Sequence, residues 1–317
     1  MALIEHLAHS YSFSGHETFV FRYPWLKKAA DAVRKDPRVF TQDDAIVTLG
    51  VGKNMVRSIR HWGLATGVLS EEPKSRGAIL RVTEFGSFLF GNGDNPGSDP
   101  YLEDPNSLWL LHWNLISNNT RSTTWQWAFN RFPANEFTRD GLVQCVVDEC
   151  RRLNVQIPSD GTLRRDVEVF IRTYLSARTG KSSAVEDSLD CPLTELGLME
   201  EVLSTDMFKI KRGPKNTLSN KVFAYCLLQY WDANAPNVQS LAFSDIAYAQ
   251  SSPGAIFKLD ENSLVERLEH LQFDTNGAIG YAEGAGLKQV YRQQEVLESR
   301  AWLQSHYEDT MPIGVGV

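Results

Sequence analysis

The sequence has few cysteines and no pattern that pairs them. Four cysteines occur among 317 residues, and no two are spaced as CxxC. A disulfide framework and a cysteine-based zinc site are therefore not predicted. Long apolar stretches are also missing, because the sequence contains no run near twenty apolar residues and no signal-peptide core. We therefore expect a soluble, cytoplasmic protein that does not contact the membrane.

Familiar catalytic and nucleotide-binding motifs are missing as well. The sequence contains no Walker loop, no GxGxxG fingerprint and no Ser/His/Asp elbow, so it does not indicate the enzyme classes that depend on them. The net charge of −7 argues against a protein that coats nucleic acid indiscriminately.

The composition is that of a chain with a full hydrophobic core. Hydrophobic residues make up 42% and aromatic residues 11% of the 317 positions, which favours well-packed helical units over disorder. Residues 91–98 are rich in Gly, Asn and Pro and read as a linker. We predict three domains, at residues 1–97, 98–190 and 191–317.

Residues 40–90 carry the pattern that says most about function. A helix is predicted over residues 42–49, with Thr41 as its N-cap, and a second helix follows a turn at Gly50. Residues 68–82 then read as a hairpin with a polar turn. Helix, turn, helix and hairpin in this order indicate a winged helix-turn-helix, whose second helix enters the major groove of DNA.

The polar face of the second helix and the hairpin turn carry groups that suit DNA. Arg and Lys contact phosphates and guanine edges, and Asn contacts an adenine edge. The predicted DNA-binding residues are Lys53, Asn54, Arg57, Ser58, Arg60, His61, Lys74 and Arg76. The alternative is a solvated amphipathic helix packed on a small hairpin. The recurrence of basic groups on both elements favours DNA contact.

The charge distribution supports this interpretation. Residues 48–82 contain six Lys and Arg but only two Glu, although the whole chain has a net charge of −7. A basic patch on an acidic body fits docking of one face on a duplex, while the acidic remainder repels DNA or binds a protein partner.

Residues 14–17 bring a hydroxyl, a flexible glycine, an imidazole and a carboxylate together. One interpretation is a catalytic or metal-binding site, with His16 as base or ligand and Glu17 as its partner. The other is structural, with both side chains capping the next helix or hydrogen-bonding across the interface with the winged helix. No second cluster of His, Asp or Glu has metal-binding spacing, which favours the structural interpretation.

The remainder of the chain is predicted to be largely helical, with His112 as a satisfied core residue. Residues 243–291 repeat the order of helix, helix and hairpin, which indicates a C-terminal winged-helix-like α/β unit. Its second helix carries Glu261, Glu266 and Glu269, which suit a protein partner better than DNA. The predicted fold class is therefore mainly α: an N-terminal winged helix-turn-helix, a helical domain and a second, C-terminal winged-helix-like unit.

Several strings of the sequence together resemble a bacterial family, the SspB-like DNA nickases, which is associated with DNA phosphorothioation in an antiviral defence. The most specific string is Leu-Gly-Val-Gly-Lys-Asn-Met-Val at residues 49–56. It belongs to a longer similar segment at residues 49–60, and the supporting segments are at residues 13–19, 25–28, 99–113, 164–174 and 187–198. The likeness runs through nearly the whole chain.

The resemblance implies an endonuclease that nicks duplex DNA where sulfur replaces a non-bridging oxygen. It also implies two partner proteins, a cysteine desulfurase and an ATP-dependent sulfur-transfer enzyme. Nicking requires a nucleophile or activated water, charge stabilisation at the phosphate and usually a divalent metal. His16, Glu17 and Arg22 are the candidates for base, ligand of Mg²⁺ or Mn²⁺, and phosphate clamp.

Two alternatives to a nickase stay open. One is a non-catalytic adaptor that binds DNA and recruits the sulfur-transfer enzymes, and the other is a transcriptional regulator. The lack of a recognisable nuclease motif favours the adaptor, whereas the resemblance favours the nickase. Because winged-helix proteins often pair, a homodimer is a further expectation.

Overall fold

The structure is a computed structural model of the chain. It describes residues 11–93, 95–118, 120–132, 134–176, 191–203, 205–284, 286–293 and 299–310. The chain divides into two compact units, Met1–Lys211 and Arg212–Val317. In these described ranges helices predominate, and three small antiparallel sheets have two, three and three strands. The fold is therefore mixed α/β, and the predicted mainly α class understates its strands. None of the described helices is long and apolar enough to cross a membrane.

The first unit begins with the predicted order of helix, turn, helix and hairpin. Its elements are α1 (Tyr23–Lys35), α2 (Ala45–Leu49), α3 (Lys53–Ala65), β1 (Leu69–Glu71), β2 (Leu80–Val82) and α4 (Glu84–Phe90). Gly50 ends α2 in the left-handed conformation, at φ 62°, which favours glycine. Thr41 is not the N-cap of α2. It ends a 3₁₀ turn and its hydroxyl donates to the carbonyl of Arg38, so α2 starts later, after Asp44.

The predicted linker spans residues 91–98, and its described residues, 91–93 and 95–98, pack closely on the preceding helix. The backbones of Asn92 and Asn95 bond to each other, and the N–H of Ser98 donates to the carbonyl of Phe88. The chain therefore turns back onto α4 at the predicted boundary between the first two domains.

In its described residues, the remainder of the first unit contains four α-helices, a 3₁₀ helix at Pro192–Leu196 and one sheet. The elements are α5 (Pro105–Ser117), α6 (Thr123–Asn130), β3 (Glu136–Thr138), α7 (Arg139–Arg152), α8 (Asp160–Tyr174), β4 (Met199–Glu201) and β5 (Met207–Ile210). The strand order is β3-β5-β4, so strands from both sides of the predicted boundary at 190/191 pair with each other. This pairing places β4 and β5 in the first unit. Residues 181–190, predicted to be an exposed loop, lie outside the described residues.

The described helices and strands of the second unit follow the order that the sequence predicts. Its elements are α9 (Asn220–Asn234), β6 (Ser240–Ala242), α10 (Phe243–Tyr248), α11 (Pro253–Ile256), α12 (Glu261–Asp274), β7 (Ile279–Gly284), β8 (Leu287–Arg292) and α13 (Ser299–Thr310). The strand order is β6-β8-β7. Leu264, Leu268 and Leu271 form the buried side of α12, at the predicted helical spacing.

Aromatic side chains join the helices of the first unit into one core. Trp62 of α3 meets Trp125 of α6 edge to face, with ring centroids 5.6 Å apart, and Trp125 meets Phe170 of α8 at 5.8 Å. His112 is fully buried, and its Nδ1 lies 2.9 Å from the hydroxyl of Tyr174. The prediction of a satisfied core histidine is confirmed.

Candidate nucleic-acid interface

Helix α3 presents three of the predicted DNA-binding side chains to solvent. Ile59 and Trp62 are completely buried, which fixes the inward side of the helix. Lys53, Asn54 and Arg57 are exposed in its first two turns. Two cations and an amide lie together here, and these are the groups that contact phosphates and base edges.

Ser58 and His61 are also predicted to lie on this polar face, and the structure contradicts that placement. Ser58 is fully buried and His61 is 7% exposed. Gly15 and His16 pack against the ring of His61. The ring of His16 lies 5.7 Å from the ring of His61. Burial, with smaller contributions from charged neighbours, lowers the pKa of His61 to about 3. Among the described atoms, neither Ser58 Oγ nor His61 Nε2 has a hydrogen-bond partner.

Arg60 is a predicted DNA contact, yet its guanidinium is engaged within the protein. Its Nη2 donates to Glu71 Oε1 at 2.8 Å and to the carbonyl of Gly77 at 3.0 Å. Arg121 Nη2 donates to the same oxygen of Glu71 at 2.7 Å. A Cβ at position 77 would lie 2.8 Å from Arg60 Nη2, and the φ there is 77°, so this contact requires glycine. Arg60 therefore ties the hairpin to α3.

The hairpin turn carries the remaining predicted contacts, Lys74 and Arg76. Both side chains are exposed. Both residues have a left-handed backbone, with φ of 67° and 54°, which is unfavourable for residues other than glycine. Backbone strain of this kind concentrates at functional surfaces. The turn thus holds two cations outward on the hairpin that Arg60 fixes.

His16, the predicted base, is 3% exposed. Its Nε2 lies 2.8 Å from Asp166 Oδ1, and its Nδ1 accepts the backbone N–H of Thr18 at 3.1 Å. This pattern assigns the proton to Nε2, which donates to the carboxylate. Asp166 Oδ2 also accepts from the hydroxyl of Thr124. Neither ring nitrogen is therefore available to take a proton from a substrate. The side chain of His16 instead joins the loop at residues 13–19 to α8 through its hydrogen bond to Asp166.

Glu17 lies at the surface of the same loop, beside α3. Its Oε1 is 3.5 Å from Arg57 Nη1, so a predicted catalytic residue adjoins a predicted DNA-binding residue. Glu17 has a φ of 50° and Thr18 a φ of 68°. The guanidinium of Arg22 lies 5.4 Å from the ring centroid of Trp25. Glu17 therefore faces the candidate interface, whereas His16 faces the core.

The residues present do not fit a Mg²⁺ or Mn²⁺ site built from protein ligands alone. In the part of the chain that the structure describes, no group of three or more His, Cys, Asp or Glu side chains is placed to hold an ion. Both nitrogens of His16 are engaged, and Glu17 supplies one carboxylate. A single carboxylate does suit an ion shared with nucleic-acid phosphates, which is a common way of holding Mg²⁺.

The sequence interpretation missed Asp166, the residue that anchors the loop of His16 and Glu17. Its partner His16 is 150 positions away, so spacing along the chain gives no sign of the contact. A signal exists within α8 itself. Asp166 lies on the same helical face as Leu163 and Phe170, both buried, and a carboxylate on an apolar face requires a partner.

Comparison with known proteins gives two kinds of match. A family model described as a protein of unknown function (DUF4007) matches residues 13–307. Two crystal structures of SspB, one of them with bound magnesium ion, are similar to this chain. Each has a TM-score of 0.84 and 30% sequence identity, over 95% of this chain and 90% of the SspB chain. No curated protein matches. The likeness covers nearly the whole length of both chains.

Proposed function

Because this chain belongs to the SspB-like DUF4007 family, we propose that it is a cytoplasmic DNA-binding protein of a bacterial DNA phosphorothioation system. Its activity is to nick duplex DNA, which opens the backbone for sulfur incorporation. Its partners are double-stranded DNA and the cysteine desulfurase and ATP-dependent sulfur-transfer enzyme of the same system.

The observation that carries the proposal is the exposed cationic surface of α3 and the hairpin turn. It consists of Lys53, Asn54, Arg57, Lys74 and Arg76. The 3.0 Å bond from Arg60 to the carbonyl of Gly77 supports one rigid arrangement of both parts. We assign α2, α3, β1 and β2 to a winged helix-turn-helix, with α3 in the major groove and the hairpin turn on the backbone.

In the nicking reaction, the oxygen of a water molecule bonds to a phosphorus and the bond from phosphorus to a sugar oxygen breaks. The water loses a proton to solvent, and the leaving sugar oxygen takes one up, so that one end carries a phosphate and the other a hydroxyl. We assign Arg57 and Arg22 to the phosphate, where cations stabilise the developing charge. Glu17, beside Arg57, is the proposed protein ligand of a divalent cation shared with the DNA, and such an ion supplies further charge stabilisation when bound. His16 is a positioning residue, because its bond to Asp166 fixes the loop that carries Glu17.

A supercoiled-plasmid assay tests the nickase. We expect open-circular product with Mg²⁺ or Mn²⁺, no product with EDTA, and no product from Glu17→Gln although this variant still shifts plasmid in a gel. Glu84→Gln, which changes an exposed carboxylate on α4, is the matched control and should nick normally. Plasmid that stays supercoiled while the wild-type protein is bound would exclude the nickase.

Bound plasmid that stays supercoiled would favour the second candidate function, a non-catalytic adaptor. The engaged nitrogens of His16 support this alternative, because a buried imidazole with two partners is a structural group. An adaptor binds DNA with little sequence preference and retains the sulfur-transfer enzymes, whereas a transcriptional regulator protects one specific operator. Footprinting on the upstream DNA separates the adaptor from the regulator.

We propose that the second unit contacts the protein partners. Its order of β6, α10, α11, α12, β7 and β8 supports a winged-helix-like assignment. However, α12 exposes Glu261, Glu266 and Glu269, and carboxylates repel DNA phosphates. Charge reversal of these three residues should reduce retention of a partner without changing DNA affinity. A homodimer is a further proposal, which sedimentation analysis tests.

A further inference from the structure

A cleft of about 420 Å³ opens on the surface of the first unit, next to α2. Its walls are α1, the end of α2 and the segment around Tyr101. The polar and aromatic side chains that line it are Tyr23, Lys27, Lys28, Asp31, Lys35 and Tyr101. Its volume lies within the roughly 300–1,000 Å³ of pockets that hold small ligands.

The charges in the cleft favour an anion. Asp31 is contacted by Lys27 Nζ at 2.6 Å and by Arg34 Nη1 at 3.0 Å, so its carboxylate is already neutralised. Lys28 Nζ donates to the carbonyl of Leu49 at 2.8 Å, a neutral acceptor at the end of α2. The three lysines of the lining therefore carry more positive charge than the one carboxylate of Asp31 offsets. A phosphate is a suitable ligand for such a lining.

Aromatic rings lie beside this charge. Tyr101 is 68% exposed and Tyr23 is 36% exposed, so two large rings are open to the same cleft. The hydroxyl of Tyr23 is held by Glu195. Lys35, on the same lining, is exposed. Exposed rings next to cations are the combination with which proteins hold unpaired bases and their phosphates.

The cleft is close to the start of α3. Leu49 lines the cleft, and Lys53 on the proposed DNA surface follows it by four residues. Four residues span at most about 14 Å. Bases along a strand are about 3.4 Å apart, so the cleft lies within reach of roughly four nucleotides from α3.

We infer that this cleft binds an unpaired nucleotide of single-stranded DNA, with the base on Tyr101 and the phosphate on Lys35. The inference rests on the proposed function, because a strand released near a nick supplies such a nucleotide beside the duplex-binding helix. A base paired within a duplex has no free face for Tyr101.

Fluorescence anisotropy with a labelled oligothymidylate and with a blunt duplex tests this site. Stacking contributes about 1–3 kcal/mol per base, so Tyr101→Ala should weaken oligothymidylate binding about tenfold. Lys35→Gln should weaken it several-fold and reduce the salt slope by about 0.7. Both variants should bind the duplex like wild type. Tyr248→Ala removes a tyrosine that is 56% exposed in the second unit and should change neither affinity.

Each other outcome has a definite meaning. If both Tyr101→Ala and Lys35→Gln bind oligothymidylate with wild-type affinity, the cleft is not a single-strand site. The proposal of duplex binding would be unaffected. Thymidine monophosphate and unlabelled oligothymidylate can each compete with the labelled oligothymidylate. If both displace it at the same concentration, the cleft binds a free nucleotide and the assignment to a DNA strand is wrong. A third outcome is that the wild-type protein binds oligothymidylate but not duplex, and that both variants lose oligothymidylate binding. That result would support the cleft and overturn the proposed function.

Discussion

Arg60 Nη2 lies 2.8 Å from Glu71 Oε1, and this contact determines how the basic surface is assembled. Arg121 donates to the same oxygen at 2.7 Å, and Arg60 also donates to the carbonyl of Gly77 at 3.0 Å. Arg60 therefore links α3 to the hairpin through hydrogen bonds. The cations left to meet DNA are those at the start of α3 and in the hairpin turn.

Replacing Arg60 by Gln should destabilise the first unit. The variant loses the bonds to Glu71 and Gly77, and bonds of charged groups contribute roughly 1.5–3 kcal/mol. Because the side chain is 26% exposed, we expect a loss of about 1–2 kcal/mol in urea denaturation. Duplex affinity should fall too, because the hairpin is no longer held. The control Arg57→Gln should keep wild-type stability. Wild-type stability in Arg60→Gln would show that the contact is unimportant.

Replacing Lys74 by Gly separates DNA binding from stability. At a φ of 67° glycine removes the backbone strain, although it also loses more chain entropy on folding. The free energy of unfolding should therefore stay within about 1 kcal/mol of the wild-type value. Duplex affinity should fall, and the salt slope should decrease by about one. Unchanged affinity would mean that the hairpin turn does not contact the duplex.

Removing His16 should leave a buried charge without its main partner. Asp166 is 1% exposed, and His16→Ala leaves it the hydroxyl of Thr124. A hydrogen bond to a charged group contributes roughly 1.5–3 kcal/mol, so we expect a loss of about 2 kcal/mol in chemical denaturation. Asp166→Ala and the double variant complete a mutant cycle, in which the losses should be clearly less than additive. Strict additivity would contradict the coupling.

His61 should make the first unit sensitive to acid. Burial lowers its pKa from 6.5 to about 3, so between these values the unfolded state binds a proton that the folded state does not. Its contribution to stability is present above pH 6.5 and is lost as the pH falls toward 3. Near pH 5 the slope from this residue should be about 1.4 kcal/mol per pH unit.

Denaturation followed by the fluorescence of the buried tryptophans measures this slope. His61→Leu should flatten the dependence between pH 6 and pH 4, whereas His270→Gln, which changes an exposed histidine on α12, should leave it unchanged. An equally steep dependence in His61→Leu would assign the proton uptake to another group.

The order of elements around α3 was predictable because its signals are local. Gly50 ends one helix, and the spacing of Ile59 and Trp62 defines the next. The side-chain roles were less predictable, because they depend on residues far apart in sequence. The helical period of α3 alone places Ser58 and His61 on its solvent face. The burial of His61 depends on Gly15 and His16, which precede it by more than forty positions.

The salt dependence of duplex affinity tests the DNA-binding surface most directly. The comparison is between wild-type protein and Lys53→Gln/Arg57→Gln, in which both replaced side chains are exposed, so the fold should be retained. We expect the double variant to bind more weakly at every salt concentration and its slope of log affinity against log salt to be smaller by about two. A slope equal to that of the wild type would contradict contact between α3 and DNA phosphates.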